Sequence, residues 1–229
     1  MKNEKQKTVL ITGGSGTVGT SFIENNIDKY KFINLSRNEE KISHLSRLFP
    51  DVKNIICDIR DLEHVSSIFQ KIKPDIVIHA AALKHVNIAE LNPTATTEIN
   101  IKGSLNIIKS SIMSNVPLTI GISTDKACEP DNIYGYSKHI MEKIFLENFT
   151  DKNKFICTRF ANVANSNGSV IPFWKKKVLK GEKLPLTDSK MNRLMFSKKE
   201  ASELISKSIE AAEILKKPMK IKTIRSNLN

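Results

Sequence analysis

The stretch that decides the fold is Thr8-Val-Leu-Ile-Thr-Gly-Gly-Ser-Gly-Thr-Val-Gly19. Its apolar start predicts a buried strand, and the glycines at 13, 16 and 19 have the G-x-x-G-x-x-G spacing of a loop that opens a helix. Gly13 permits a tight turn, Gly16 lets the backbone approach a pyrophosphate, and Gly19 lets helix and strand pack closely. The stretch predicts a dinucleotide site, with an ordinary strand-to-helix turn as the alternative. Its binding residues would be Gly13, Ser15, Gly16, Thr17, Val18 and Gly19.

The rest of the chain repeats this alternation of short apolar runs and helical periods. Five more runs are β-branched and apolar on both faces, and they lie at residues 32–35, 54–57, 75–78, 118–122 and 155–158. Three helical stripes accompany them: Val65, Ile68, Phe69 and Ile72; Ile101, Leu105, Ile108 and Ile112; Ile205, Ile209 and Ala212. This order predicts an α/β fold, a doubly wound parallel sheet of the Rossmann type buried on both sides. Ligands of such sheets bind at the carboxyl ends of the strands.

Size and composition fit one large α/β domain over residues 1–229, of which 40% are hydrophobic. No apolar run approaches the ~18 residues that span a membrane, and the charged residues 1–7 lead straight into a strand, unlike a secretory signal. The net charge of +12 could attract phosphorylated substrates or nucleic acid, but the basic residues are dispersed and not interleaved with aromatics. Cys57, Cys128 and Cys157 are far apart, which fits a reducing cytosol. We expect a cytoplasmic protein with no metal, nucleic acid or membrane partner.

The ends of the second and third strands bear on the choice of dinucleotide. An acidic residue after the second strand would accept the ribose 2′-OH of NAD, but the chain has Ser36, Arg37 and Asn38 there. These residues suit a 2′-phosphate and favour NADP over NAD, although Arg37 could be a solvated loop residue. Asp58, followed by Ile59, could accept a hydrogen bond from the adenine amino group. A charge at a helix N-terminus is the alternative for Asp58.

A cluster of polar groups follows the fifth strand in Ser123-Thr-Asp-Lys-Ala127 and Tyr134-Gly-Tyr-Ser-Lys138. A hydroxyl, a carboxylate, a phenol and two amines are what redox chemistry followed by elimination requires. A free phenol has a pKa of about 10, too high for a base at neutral pH. Lys138 lies one helical turn beyond Tyr134 on the same face, so its charge would favour the phenolate. Taken alone, either motif could be a surface pair or a turn salt bridge.

Together the motifs resemble those of the extended short-chain dehydrogenase/reductases. The motifs are the glycine loop, Cys57-Asp-Ile-Arg-Asp61, His79-Ala-Ala-Ala-Leu-Lys-His-Val86, Asn100, Ser-Thr-Asp-Lys-Ala, Tyr-x-x-x-Lys and Asn162-Val163. Within that group the chain is similar to the UDP-N-acetylglucosamine 4,6-dehydratases, in particular the soluble inverting branch. That narrower likeness rests on Ala80–Val86, Ser123–Ala127, Asn167–Phe173 and Met191–Arg193. The resemblance covers nearly the whole chain.

This resemblance implies a catalytic role for each residue of the cluster. Tyr134, assisted by Thr124 and Lys138, would take the proton of the C4 hydroxyl while hydride moves to NADP. Lys126 would remove the C5 proton, for which it must be neutral during part of the cycle. Asp125 would protonate the departing O6, so it needs a raised pKa or a proton from a neighbour. The expected product is a UDP-4-keto-6-deoxy-N-acetylhexosamine, inverted at C5, for bacterial surface glycans.

The resemblance also implies binding residues beyond the catalytic cluster. Further cofactor contacts would come from Ala80, Ala81, Ala82, Lys84 and Asn100, together with Tyr134 and Lys138. Substrate contacts would come from Lys84, His85, Asn162, Val170, Thr187 and Arg193. The alternatives without a binding role are a solvated loop for Lys84, a strand-end turn for Asn162, packing for Val170 and a surface position for Arg193. His79, on a strand, is better explained as a core imidazole with satisfied hydrogen bonds.

Some features of the family are expected to differ here. The substrate region would lie within about residues 162–229, and its C-terminal part would be absent or much reduced unless residues 220–224 are its remnant.

The resemblance implies a homo-oligomer, with helix 134–148 as one possible interface. Other functions compatible with the sequence are a nucleotide-sugar epimerase or reductase of the same superfamily, or a non-catalytic cofactor-binding paralogue. The Asp125–Lys126 pair favours elimination over 4-epimerisation.

Overall fold

A six-stranded parallel sheet forms the centre of the computed structural model, which describes residues 6–166, 169–186, 188, 190, 192 and 194–215. The strands are β1 (Thr8–Thr12), β2 (Lys31–Ser36), β3 (Lys53–Ile56), β4 (Ile76–His79), β5 (Leu118–Thr124) and β6 (Lys154–Phe160). Their order in the sheet is β3-β2-β1-β4-β5-β6. The predicted doubly wound α/β fold is confirmed. The strand order reverses between β1 and β4, so a crevice opens at their carboxyl ends.

Helices cover both faces of the sheet. They are α1 (Thr17–Asn26), α2 (Glu39–Leu48), α3 (Leu62–Ile72), α4 (Val86–Leu91), α5 (Pro93–Thr96), α6 (Gly103–Met113), α7 (Ile133–Glu147), α8 (Val170–Leu179) and α9 (Lys198–Ile214). Apolar residues of α1, α2 and α9 pack in one core with Val9, Ile11 and Ile78. Those of α3 and α6 pack on the opposite face with Leu10 and Val77. Helix α7 adds Met141 and Phe145 beside β6.

Two predictions about burial need correction. The strands are not all buried on both faces, because β3 is an edge strand whose Ile56 is 60% exposed. In the stripe predicted on α6, Ile108 is buried, whereas Ile112 is 41% exposed. Residues Thr97–Lys102 form a π-helix directly before α6. A π-helix has a wider turn, and after it Ser104, Ile107 and Ser111 are buried together with Ile108.

The other two stripes pack as predicted. Val65, Ile68 and Phe69 of α3 are buried, and so are Ile205, Ile209 and Ala212 of α9. A small parallel pair, β7 (Asn162–Val163) and β8 (Met195–Phe196), lies outside the main sheet, with α8 between its two strands in the chain. Within the described part of the chain, α8 buries none of its residues, and no helix is long and apolar enough to cross a bilayer.

Candidate active site

A cavity of about 820 Å³ lies along the carboxyl ends of the central strands. This volume is in the range of small-molecule and cofactor sites. Most of the site residues predicted from the sequence line it: Gly13, Ser15, Gly16, Thr17, Val18, Gly19, Ser36, Arg37, Asn38, Asp58, Ile59, Ala80, Ala81, Ala82, Lys84, His85, Thr124, Lys126, Tyr134, Lys138, Asn162 and Val170. In the described ranges, Asn100 and Asp125 do not line it. Thr187 and Arg193, like residues 220–224, lie outside the described residues.

The glycine loop forms the floor of one end of the cavity. Gly13 has a φ of +72°, and a Cβ there would lie 2.9 Å from the backbone nitrogen of Ala81. A Cβ on Gly19 would lie 2.5 Å from the Cα of Gly14, so this glycine allows helix α1 to meet its own loop rather than a strand. Gly16 is the N-cap of α1 and supplies no side-chain acceptor to the first turn. The loop therefore fits a dinucleotide pyrophosphate at a helix N-terminus.

The neighbouring rim of the cavity carries basic groups. Ser36 Oγ lies 2.8 Å from Ser15 Oγ, and this contact ties the end of β2 to the glycine loop. Arg37 is exposed and lies 3.4 Å from the Asp58 carboxylate, which Arg60 already binds at 2.7 Å. The Arg60 hydrogen bonds outweigh burial and lower the pKa of Asp58 to about 2. Asp58 is thus a charged, doubly paired acceptor at the rim.

A further lysine, Lys41 on α2, also lines the cavity, and the sequence reasoning missed it. Burial lowers the pKa of Lys84, and the positive charge of Lys41 lowers it further. The pKa of His85 is lowered by burial and then by the charges of Lys84 and Lys41. Three basic side chains therefore face a common space. The spacing could have revealed Lys41, because it follows the helix N-cap Asn38 by three residues, in the first turn of α2 above Arg37.

Thr124 is the last residue of β5, and Asp125–Ala127 form one short 3₁₀ turn directly after it. Three hydrogen bonds converge on Asp125 Oδ1: from Thr124 Oγ1 at 2.8 Å, from the Lys126 amide at 2.9 Å and from Lys126 Nζ at 3.0 Å. Lys126 Nζ also donates to Asn162 Oδ1 at 3.4 Å. Asp125 thus holds Thr124 and Lys126 from the side, while those two residues face the cavity.

Asp125 does not have the raised pKa that was one of the two alternatives for a general acid. Burial alone would raise the pKa of this carboxyl, but hydrogen bonds from Lys126 and Thr124 outweigh burial and bring it below its usual value. An acid role for Asp125 would therefore require the other alternative, a proton received from a neighbour. Lys126 is in direct contact with Asp125 and is the neighbour that could supply this proton.

Tyr134 and Lys138 lie on the first two turns of α7, and both line the cavity. Burial raises the pKa of Tyr134 to about 12, against the effect of a hydrogen bond with Thr124, and the charge of Asp125 adds to the increase. Burial lowers the pKa of Lys138 to about 8. Burial dominates both groups, so in this structure the pKa of the Tyr134 phenol lies above its ordinary value and not below it.

Asn100 is a correction to the predicted cofactor contacts. Its side chain is 1% exposed, and its amide is engaged by protein groups. Oδ1 accepts from the Leu83 amide at 2.8 Å, and Nδ2 donates to Leu83 O and to Ser137 Oγ, each at 2.9 Å. Asn100 therefore lies behind the cavity wall and links that wall to α7, because the π-helix turns its side chain inward.

The outer wall of the cavity comes from β7 and the start of α8. Asn162 belongs to β7, not to a turn, and its Nδ2 donates to Leu194 O at 3.2 Å while its Oδ1 accepts from Lys126. Val170 is 49% exposed and lines the cavity, so the alternative of packing does not describe it. Ser123 belongs to the polar cluster quoted above, although the sequence gives it no role of its own. The residue lines the cavity, its hydroxyl is buried, and among the described residues nothing hydrogen-bonds to that hydroxyl.

The family follows from comparison with known sequences. Residues 9–225 match the polysaccharide biosynthesis protein family. This chain belongs to that family. The match covers the glycine loop, the β5 cluster and α7, which are the elements that build the cavity.

Individual relatives and solved structures agree with this assignment. The chain is 39% identical to a UDP-N-acetylglucosamine 4,6-dehydratase (inverting) of Campylobacter jejuni, over 90% of this chain and 64% of that protein. It is 34% identical to a UDP-glucose 4-epimerase of Rickettsia bellii, over 89% and 63%. The structure of Pen from Bacillus thuringiensis superposes with a TM-score of 0.85 at 34% identity, over 93% and 67%. The chain thus spans about 64% of the length of the first of these relatives.

Proposed function

We propose that this chain is an NADP-dependent hydro-lyase, a nucleotide-sugar 4,6-dehydratase acting on UDP-N-acetylglucosamine. The observation that carries the proposal is the 3.0 Å contact between Lys126 Nζ and Asp125 Oδ1, next to Thr124 in the wall that also holds Tyr134. Oxidation of an alcohol needs only the Tyr134 group, whereas elimination of water needs an additional base and acid. The 39% identity to the inverting Campylobacter dehydratase supports the same assignment.

The residues along the cavity suit a nicotinamide dinucleotide. Gly13, Gly16 and the start of α1 would hold the pyrophosphate, and Arg37 with Lys41 would hold a 2′-phosphate. When bound, the nicotinamide would accept hydride from C4 of the sugar and later return it to C6. Tyr134 and Lys138 lie in the cavity beyond the loop, where a ribose and a sugar C4 hydroxyl would be placed.

The first chemical step falls to Tyr134. Its phenolate oxygen would take the proton of the C4 hydroxyl as the C4–H bond breaks and the 4-ketone forms. The pKa of about 12 favours the neutral phenol, so the base form must gain stabilisation in the complex. Lys138 in its protonated form supplies that charge, and the Thr124 hydroxyl, which donates to Asp125 Oδ1 in the structure, would have to turn to the same oxygen to add a hydrogen bond.

The second step uses Lys126 and Asp125 together. Transfer of one proton from Lys126 Nζ to Asp125 Oδ1 across their 3.0 Å contact yields a neutral amine and a protonated carboxyl. The amine then removes the proton on C5, which the 4-ketone has acidified, and the carboxyl donates its proton to O6 as the C6–O bond breaks and water leaves. A solvent proton delivered to C5 on the opposite face inverts that centre, and Tyr134 releases to solvent the proton that it took from the C4 hydroxyl. The sum is loss of one water with no net oxidation.

A 4-epimerase is the second candidate, because the Rickettsia relative bears that name and because Thr124, Tyr134 and Lys138 would serve it equally. The Asp125–Lys126 pair has no task in reversible oxidation at C4, which favours the dehydratase. A cofactor-binding chain without activity is the third candidate.

Incubation of the protein with UDP-N-acetylglucosamine and NADP, followed by NMR of the sugar, separates these candidates. A 4-keto-6-deoxy product supports the dehydratase, and a UDP-N-acetylgalactosamine product supports the epimerase. Unchanged substrate together with tight NADP binding would support the third candidate and overturn the proposal. The same experiment in D₂O locates any proton exchanged at C5.

We also propose that the protein acts in the cytoplasm as a homo-oligomer. Support for an oligomer comes from apolar side chains left exposed on neighbouring helices. Tyr136 and Ile140 of α7 are 51% and 42% exposed, and Ile112 and Met113 of α6 are 41% and 58% exposed. Sedimentation velocity of the purified chain tests the assembly, and Ile140→Glu should shift it toward the monomer.

A further inference from the structure

A buried histidine lies at the centre of the sheet, outside the catalytic steps described above. His79, the last residue of β4, is 0% exposed and stacks on Phe145 with ring centroids 6.4 Å apart. Its Nδ1 lies 2.7 Å from Thr12 Oγ1 at the end of β1, and its Nε2 lies 2.9 Å from Ser104 Oγ on α6. One imidazole thus joins the strand before the glycine loop to the helix that follows the π-helix.

The partners of these groups fix the direction of every hydrogen bond. The Ser104 hydroxyl donates to the Asn100 carbonyl at 2.6 Å, so toward His79 it must accept, and Nε2 carries the proton. Burial, and then the charge of Lys138, lower the pKa of His79 to about 3, so the ring is neutral and Nδ1 accepts from the Thr12 hydroxyl. Thr12 Oγ1 in turn accepts from the Ala81 amide at 3.3 Å.

The chain of hydrogen bonds continues from Asn100 to the catalytic helix. The Asn100 side chain holds both backbone groups of Leu83 and donates to Ser137 Oγ at 2.9 Å. Ser137 Oγ donates to the Tyr134 carbonyl at 2.7 Å. Each linking group is fully or almost fully buried, in a setting where an unpaired partner is costly.

We infer that His79 is a positioning residue, and that Thr12, His79, Ser104, Asn100 and Ser137 form one directional hydrogen-bond chain that couples the glycine loop to the Tyr134–Lys138 turn. One end fixes Thr12 directly before Gly13 and Ala81 in the cavity wall, while the other fixes Ser137 between the two catalytic residues of α7. Cofactor binding at the loop would therefore align the phenol of Tyr134 through the protein interior. The inference rests on the dinucleotide-binding part of the proposed function and not on the sugar.

The first test needs no change to the parent protein. In the ¹⁵N-labelled protein, side-chain ¹H–¹⁵N correlation should show His79 with a protonated Nε2 and a bare Nδ1, unchanged between pH of about 5 and 8. The His79 signal is assigned by its loss in His79→Gln. A proton on Nδ1, or titration of the ring in that pH range, would reverse or break the chain and overturn the inference.

The second test measures coupling by calorimetric titration of NADP into variants. Thr12→Val and Ser137→Ala should each weaken NADP binding several-fold, and the Kd of the double variant should differ from the product of the two effects by at least about threefold. Thr12→Ser should bind NADP with the parent Kd, because serine keeps the hydroxyl that Thr12→Val removes. The matched control is Ser111→Ala, which removes another buried hydroxyl of α6, bonded to Thr119 instead.

Thr12→Val and Ser111→Ala should combine multiplicatively. Circular dichroism and thermal unfolding confirm that each variant is folded. Multiplicative effects in both cycles would overturn the inference while leaving the dehydratase proposal intact. Coupled cofactor binding in a protein that does not convert UDP-N-acetylglucosamine would support the inference and overturn the dehydratase proposal, and failure to bind either NADP or NAD would overturn both.

Discussion

The guanidinium of Arg159 donates two hydrogen bonds of 2.7 Å to the carboxylate of Glu142, which is 1% exposed. This ion pair joins β6 to α7, the helix that carries Tyr134 and Lys138. A buried carboxylate that keeps its charge needs such a partner, because its desolvation is costly. The pair is therefore part of the framework that holds α7 on the sheet.

Arg159→Met should lower the free energy of unfolding by about 3–5 kcal/mol, because it leaves the Glu142 charge buried without a partner. Adding Glu142→Leu to the same chain should recover most of that loss. Urea unfolding followed by circular dichroism measures both. Lys7→Met is the control, since it breaks the exposed Lys7–Glu213 pair and should cost at most about 1 kcal/mol. Equal losses for the two ion pairs would contradict the prediction.

Lys138→Met should stabilise the protein at neutral pH. Burial lowers the folded-state pKa of Lys138 to about 8 from an unfolded value of 10.5, so the charged form is disfavoured in the folded state. The penalty is fully present below pH 8, and it declines as the pH rises from about 8 to 10.5. The substitution Lys138→Met removes this penalty, which corresponds to a gain of roughly 3 kcal/mol at neutral pH.

Unfolding of the parent and of Lys138→Met should be measured in parallel at pH of about 7 and about 10.5, on either side of the folded-state pKa. The difference in unfolding free energy should shrink at the higher pH. Lys143→Met, an exposed lysine of the same helix, is the control and should show no such pH dependence. A difference that grows with pH would mean that a raised Lys138 pKa, not a lowered one, describes the folded state.

The sequence predicts the sheet well because each strand is decided locally. Residues 9–11 and 76–78 are continuous apolar runs, and such runs specify buried parallel strands before any tertiary contact is known. The stripe on α6 fails for a reason that no local period contains. After the π-helix at Thr97–Lys102 the buried face of α6 includes Ser104, Ile107 and Ser111, and this face depends on packing of α6 against α3, which local periodicity does not show.

The site shows the same division between local and long-range information. Positions of Tyr134 and Lys138 follow from helical spacing, and the structure brings both into the cavity. The sequence places Asn100 against the cofactor, yet its amide is consumed by Leu83 and Ser137, 17 and 37 residues away in the chain. The lowered pKa of Asp125 likewise depends on which hydrogen bonds form, and the sequence motif carries no such information.

Gly13→Ala should abolish dinucleotide binding, and it should destabilise the fold more than the matched change Gly181→Ala. Gly13 and Gly181 have nearly equal φ values of +72° and +69°, so alanine is strained at both. Around Gly181 no described atom lies within 4 Å of an added Cβ, whereas at Gly13 the Cβ would approach the Ala81 backbone to 2.9 Å. Gly181→Ala should cost about 1–2 kcal/mol from backbone strain alone.

The difference in unfolding free energy between Gly13→Ala and Gly181→Ala isolates the cost of the contact between the added Cβ and Ala81, including displacement of the cavity wall at Ala81. Thermal unfolding and NADP titration measure it. Identical stability losses, or unchanged NADP binding in Gly13→Ala, would show that the loop tolerates a side chain at this position.

Cofactor preference should depend on Arg37 and Lys41. Arg37→Ala should weaken NADP binding roughly tenfold more than NAD binding, because a charge-assisted contact to a phosphate is lost. Lys41→Ala should act in the same direction. Arg47→Ala, at the far end of α2 and exposed, is the control for a general loss of positive charge. Equal weakening of NADP and NAD by Arg37→Ala would refute a 2′-phosphate site.

Lys126→Ala should identify the base that removes the C5 proton. In D₂O, Lys126→Ala should stop solvent exchange at C5 of the sugar while NADP remains bound, because the glycine loop is remote from the end of β5. Exchange at the parent rate would exclude Lys126 as the base.

Asp125→Asn tests both tasks that the proposed second step gives to Asp125. With no carboxylate to receive the Lys126 proton, Lys126 stays charged, so the variant should still form the 4-ketone, but C5 exchange and release of water should both fall by about 10²-fold or more. Full C5 exchange in Asp125→Asn would show that Lys126 becomes neutral without the 3.0 Å contact to this carboxylate. The lowered pKa of Asp125 makes it a donor only after it has received the Lys126 proton, so the acid role also predicts that Lys126→Ala abolishes elimination completely. Residual elimination in Lys126→Ala at a rate above that of Asp125→Asn would require another proton source.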